Sequence, residues 1–311
     1  MRPLIDVSHL AQLLQRDDFT LLDVRWSLGG TEGHDAYLAG HLPGAAYVDL
    51  DSELAGPPGR GGRHPLPSVE VFAEAMQRAG VTEQRQVVAY DGGSGLGAAR
   101  LWWMLTDAGH RLVRVLNGGY PGWIAAGRPI ETGEVTPERG TFVPEPGHRP
   151  VVDPEGVIQH LRDGGAVYDV RAADRYRGEN ETIDPVAGHI PGALSLPLAT
   201  LVGAVGFAPR GQLVAKMAHL RAGDVLSCGS GITAAAVMLA AEQVGIGDLV
   251  LFPGSWSGWI TDPSRPIATG PDAGSLPETD RKGNLFLRTE HDLVPGRDGS
   301  SLAAASLRRR W

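Results

Sequence analysis

Residues 40–45 read GHLPGA, and residues 188–193 read GHIPGA. A glycine-bounded turn that returns with one conservative change is a repeat signal, and a missed repeat misassigns the whole fold. Working outward, LLDVR (21–25) precedes the first turn and VYDVR (167–171) the second. SGLGAA (94–99) is answered by SGITAA (230–235), GYPGW (119–123) by SWSGW (255–259), and RPIETG (128–133) by RPIATG (265–270). Matches in the same order with slightly different separations mean two copies of one module, with insertions and deletions in the loops.

Each copy has the same layout. Short apolar runs such as Leu21-Leu22, Gln86 to Tyr90 and Leu112 to Leu116 predict buried strands. Helical patterns over Val69–Ala79, Ala98–Ala108 and Ala234–Val244 lie between such runs, with Gly, Pro and Asp at the joins. Strands alternating with helices predict an α/β fold, each copy an open, mostly parallel sheet flanked by helices. The expected division is a first domain over 1–133, a proline-rich linker over 134–150, a second domain over 151–272 and a tail over 273–311. The tail has no counterpart in the first copy, and its end, SLAAASLRRRW, reads as a weak helix or as disordered chain.

Of 311 residues, 42% are hydrophobic and 21% charged, enough apolar material for real cores and too little charge for a disordered chain. A net charge of −8 argues against a general nucleic-acid or anionic-membrane surface. The single cysteine excludes an intrachain disulfide and disfavours a structural zinc site, which fits a reducing, cytoplasmic setting. The N-terminus has charges every few residues and no apolar signal region. The most apolar stretch, Ala234 to Phe252, is interrupted by Glu242, Gln243 and Asp248, so no membrane span is expected.

That one cysteine, Cys228, stands in SCGSGITAAA (227–236), between a strand end and a helix start. A free cysteine is often only a small buried apolar residue. A Gly-Ser-Gly turn at the carboxyl end of a parallel strand is a different setting, because ligands bind there. Successive amides can form an anion nest, and the following helix N-terminus adds partial positive charge; both favour a thiolate. A Cys-x5-Arg phosphatase loop would need arginine where Ala234 stands. A cysteine protease needs a histidine base, but the repeat explains His41 and His189 as copies of one turn. The G-x-G-x-x-A pattern at 229–234 and 93–98 lacks the acidic residue that dinucleotide binding requires at the next strand end.

Two DVR-then-GH(I/L)PGA modules, the second with CGSGIT, together resemble the tandem-domain rhodanese-type sulfurtransferases, over about Asp6 to Gly270. The resemblance implies two rhodanese-like domains, with the reactive cysteine in the second and a catalytically silent first. Asp91 occupies the cysteine's place in the first copy. The implied chemistry is a Cys228 persulfide, formed from a small sulfur donor and discharged to a thiol such as thioredoxin, or to cyanide, with no metal or organic cofactor. The loop Gly229, Ser230, Gly231, Ile232, Thr233 is of the mercaptopyruvate type, so 3-mercaptopyruvate is favoured over thiosulfate. Thiosulfate as the main donor, or a persulfide carrier or redox sensor without turnover, are the alternatives. A monomer is expected.

Other roles follow by the same resemblance. Ser230 is expected to hydrogen-bond the donor or leaving group, and Arg177 to bind the donor carboxylate. A second arginine expected before GHIPGA is absent: the chain has Glu179-Asn180-Glu181-Thr182-Ile183-Asp184 there. His41 corresponds to a first-domain histidine that relays protons with the loop serine, with Asp35 as a candidate partner. Thr233 reads as a helix cap, and Trp256 as a wall of the site. The Asp23/Arg25 and Asp169/Arg171 pairs occur in both copies and therefore read as structural braces.

Overall fold

In the computed structural model, residues 2–16, 18–30, 32–279 and 285–286 are described. The first sheet contains β1 (Leu4–Ile5), β2 (Phe19–Asp23), β3 (Ala46–Tyr47), β4 (Gln86–Tyr90) and β5 (Val113–Leu116). Its order is β1-β5-β4-β2-β3, all parallel. The second contains β6 (Val167–Asp169), β7 (Leu194–Ser195), β8 (Val225–Ser227) and β9 (Val250–Leu251), ordered β7-β6-β8-β9 and parallel throughout. A parallel bridge from Val151 to Leu251 stands where the first sheet has β1. The two sheets thus share one strand order, as the repeat requires. Strand β2 buries every residue and β8 does likewise, the signature of strands covered on both faces.

The helix Leu96–Asp107 follows β4, and the helix Ile232–Val244 follows β8. Both are hydrophobic almost all round, because they pack on each other across the domain boundary as well as on their own sheets. Ala234 to Ala241 are all buried in that contact. This explains the most apolar stretch of the sequence. Among the described residues no helix is long and apolar enough to cross a membrane.

The Asp–Arg pairs brace both domains alike. Arg25 pairs with Asp23 at 2.7 Å and donates to the Gly40 carbonyl at 2.7 Å. Arg171 pairs with Asp169 at 2.6 Å and donates to the Gly188 carbonyl at 2.6 Å. The segment expected to be a linker lies along the first domain: the Gly140 amide donates to Gln77 O at 2.7 Å, and Phe142 is buried against Phe72 and His110. From Pro277 the chain forms a separate unit, in which β10 (Glu278–Thr279) pairs antiparallel with β11 (Leu285–Phe286). The expected helix or disorder at 301–311 lies outside the described residues.

Candidate active site

Strand β8 ends at Ser227, and Cys228 opens the turn into the helix at Ile232. Gly231 is the cap, with φ at +81°, and a Cβ there would stand 2.6 Å from the Pro253 carbonyl oxygen; only glycine closes this turn. Thr233 sits within the first helical turn and is not the cap. Cys228 is 1% exposed, and its Sγ accepts the Gly231 N–H at 3.1 Å.

Ser255 completes the cradle. Its Oγ accepts the Cys228 N–H at 2.9 Å and the Gly231 N–H at 3.1 Å, and donates to Phe252 O at 2.9 Å. It lies 3.8 Å from Sγ. Its φ of +50° is a left-handed conformation that costs a side-chain-bearing residue on the order of 1 kcal/mol or more. The equivalent position in the first copy is Gly119, with φ +53°. The second copy thus bears strain to place a hydroxyl against the cysteine loop.

The first domain supplies the cover. Ser230 Oγ lies 2.7 Å from His64 Nδ1, and His64 Nε2 lies 3.5 Å from Asp51 Oδ1, which also accepts the Trp26 indole N–H at 2.9 Å. The carboxylate on the Nε2 side favours the proton there, so Nδ1 accepts from the Ser230 hydroxyl; this tautomer is inferred from the network. Burial, with Arg63 and Arg100 nearby, pushes the His64 imidazolium down to about 4, so the ring is neutral at physiological pH. Arg100 is wholly buried and donates to Leu54 O, His64 O and Pro65 O at 3.1–3.2 Å, which fixes the segment carrying Arg63 and His64. Its Nη1 has no partner and would be 3.2 Å from a Cβ on Gly231. Burial lowers Arg100 to about 10, which still leaves it a cation.

Two guanidiniums face the loop. A Cβ on Gly229 would meet Arg63 Nη2 at 3.2 Å and Arg175 Nη1 at 3.7 Å. Asp184 bridges them, taking Arg63 Nη1 on one oxygen and Arg175 Nη2, at 2.9 Å, on the other. Glu181 accepts from Arg175 Nε at 3.0 Å and from the Ile183 and Asp184 amides at 2.9 and 3.0 Å. Burial opposes its charge, but these donors win and hold its carboxyl below the usual range.

These positions correct several sequence expectations. Arg177 turns to the surface and pairs with Glu179 at 2.7 Å; the arginine of RYRG that reaches the loop is Arg175, because the residues on either side of Tyr176 project differently from so short a helix. His41 is buried in the first domain, bonded to Tyr37 O at 2.9 Å and stacked on Tyr37. His189 repeats this arrangement on Tyr176, so the shared turn explains both rings. His64 takes the place expected of His41, and Asp51 that of Asp35. Trp256 meets the site through its backbone, whose N–H donates to Cys228 O at 2.9 Å, while its indole is buried in the core and donates to Val186 O. Ile232 is core as well. Sequence reasoning missed Arg63, His64, Asp51, Ser255 and Asp184.

Comparisons with known proteins place the chain in a family. A family model described as "Rhodanese-like domain" matches residues 6–126 and again 153–262. A Mycobacterium tuberculosis protein named for a thiosulfate sulfurtransferase activity is 41% identical over 278 residues, covering 86% of this chain and 97% of the relative. A Pseudomonas aeruginosa protein named for a 3-mercaptopyruvate sulfurtransferase activity is 40% identical, covering 86% and 98%. The crystal structure of an Escherichia coli enzyme titled for the rhodanese fold and mechanism of 3-mercaptopyruvate sulfurtransfer superposes with a TM-score of 0.72 at 30% identity, over 83% of this chain and 100% of that one.

Proposed function

The chain belongs to the tandem-domain rhodanese-type sulfurtransferases, and on that premise we propose that Cys228 carries the sulfur as a persulfide, with 3-mercaptopyruvate favoured over thiosulfate as donor. The observation that supports this most is the cysteine's setting: a single thiol in a cradle of amides, with two guanidinium edges above it. The Cys228 thiolate attacks the donor sulfur. The S–S bond forms as the C–S bond breaks, and the electron pair leaves with the pyruvate enolate. The donor thiol's proton passes through Ser230 and His64 to the enolate carbon, which gives pyruvate and the Cys228 persulfide anion. The Gly231 amide donates to negative sulfur in each state, and Ser255 Oγ holds the Cys228 and Gly231 amides that shape the loop. An acceptor thiolate, such as that of thioredoxin, or cyanide, then takes the outer sulfur and releases the Cys228 thiolate.

Arg63 Nη2 and Arg175 Nη1 are the groups that would hold the donor carboxylate. Arg63, contributed by the first domain, stands in for the second arginine that is missing before GHIPGA. Much of their charge is already answered by Asp184 and Glu181. One carboxylate therefore suits this site better than the dianion thiosulfate. The relatives carry both donor names, so donor rates are the deciding measurement. Intact-mass spectrometry after donor treatment is expected to find one added sulfur on Cys228, and steady-state assays are expected to give a higher kcat/KM for 3-mercaptopyruvate. A persulfide without turnover would make the protein a carrier, and faster turnover of thiosulfate would reverse the donor order.

A further inference from the structure

We infer that Asp184 sets the charge of the donor site, and that it selects singly charged sulfur donors over doubly charged ones. The inference rests on the donor-binding reading above. The Asp184 side chain is 2% exposed and joins guanidiniums from two different domains. Its bonds fall on Arg63 Nη1 and Arg175 Nη2, which leaves Arg63 Nη2 and Arg175 Nη1 without side-chain partners among the described residues, and a Cβ on Gly229 would stand 3.2 Å from Arg63 Nη2 and 3.7 and 3.8 Å from Arg175 Nη1 and Nη2. The same carboxylate thus orients the anion-binding edges and reduces their field.

The charges around the loop balance closely. The cations Arg63, Arg171 and Arg175 are matched by Asp169, Glu181 and Asp184. Neutral His64 adds nothing. Arg100 is the one guanidinium here bonded only to carbonyls, and its unpartnered Nη1 faces the cysteine loop, where it answers the anionic sulfur. A donor therefore enters a site with no net charge to spare. Coulomb energy scales with the charge product, so each added positive charge favours a dianion twice as strongly as a monoanion.

Asp184→Asn removes one negative charge and keeps the side chain's shape. The ratio of kcat/KM for thiosulfate to that for 3-mercaptopyruvate is expected to rise about tenfold or more in this variant, mainly through KM for thiosulfate, and Asp184→Glu is expected to keep the wild-type ratio. A carboxylate that only held the turn together would, when lost, depress both donors in proportion and leave the ratio flat. An unchanged ratio, or one that moves toward 3-mercaptopyruvate, overturns the inference. A binding measurement separates this failure from failure of the donor reading. On a Cys228→Ser background, adding Asp184→Asn is expected to increase the thermal stabilisation given by sulfate more than that given by pyruvate. That comparison stands even if the wild-type protein turns over neither donor, and equal gains for the two anions also overturn the inference.

Discussion

Each domain closes the other's loop, but the two closures differ in kind. The second domain sends the segment Leu201–Pro209 over the first domain's loop, where Phe207 would contact a Cβ on Gly95 at 3.0 Å and Val205 one on Gly118 at 2.7 Å. Its Phe207 amide is tied to Asn117 Oδ1 at 2.8 Å. The first domain sends the segment of Arg63 and His64 over the second domain's loop, tied by the Arg63 amide to Ser257 Oγ at 3.0 Å. One closure is apolar and the other cationic and titratable. The loops beneath differ to match. Asp91 fills its own nest, its carboxylate accepting the amides of Gly93, Gly95 and Ala98 at 2.8, 3.1 and 3.3 Å. Burial still pushes that carboxyl above the usual range. In the second domain a sulfur takes that place, and the turn is one residue shorter before its capping glycine, Gly231 against Gly95. An anion nest with its own carboxylate inside has its amides already answered, whereas the Gly231 amide of the shorter loop is turned to the thiol.

The strongest test of this contrast moves the thiol. Cys228→Ser is expected to lower sulfur transfer by at least about 10³-fold, the scale of losing a nucleophile, with the circular dichroism spectrum unchanged. Adding Asp91→Cys to that variant is expected to leave transfer at background, because Phe207 and Val205 cover the longer loop. Persulfide found on the introduced thiol by mass spectrometry would break the contrast. The cationic closure is tested next. His64→Ala is expected to lower kcat for 3-mercaptopyruvate about 10²-fold, the usual worth of a positioned acid–base group, in steady-state pyruvate release. A smaller effect is expected at Ser255. Its Oγ hydrogen bonds contribute about 1 kcal/mol each, and relief of the φ of +50° returns a similar amount. Ser255→Gly, which restores the first copy's residue type, removes three such bonds for one such relief and is therefore expected to lower kcat/KM about tenfold and Tm by about 4 °C.

A last test, of the neutral ring beneath the cationic closure, is acid stability. His64 ionises near 6.5 when unfolded and near 4 when folded. The unfolded chain therefore binds the extra proton between these values, and the stability tied to a neutral His64, complete above pH 6.5, is lost as pH falls toward 4. Chemical denaturation from pH 7 to 4 is expected to show a shallower decline in His64→Gln than in wild type. Parallel curves would place the titrating group elsewhere.

The fold class was readable because a duplicated sequence states its order of motifs twice, and periodicity places β2, β4, β5 and the helices that follow β4 and β8. The cysteine loop was readable because glycines and a lone thiol at a strand end have few other uses. His64 and Arg63 were not, because repeat logic looks for residues with twins. They lie in GRGGRHPLP (59–67), and the second domain's covering segment, LVGAVGFAP (201–209), carries no basic residue. That basic stretch, present in one copy alone, was the available signal. His41 drew attention through a twin that marks it as structural. Ser255 had a signal too: the repeat aligns it with Gly119, and a side chain where the twin has glycine implies a conformation held at a cost. The expected second arginine was sought close in sequence, whereas the second guanidinium that faces the loop, Arg63, comes from the other domain.

The exchanged covers also bear on how the chain can be divided. A cut between Gly133 and Pro150 would yield two fragments, each with a complete sheet and each without the segment that finishes its loop. The Cys228 fragment would lack Arg63, His64, Asp51 and Arg100, and the other would lack Phe207 and Val205. Sulfur transfer would then report reassociation of the halves, as in a split-enzyme complementation assay, and the half without Cys228 would be the one whose concentration titrates the activity.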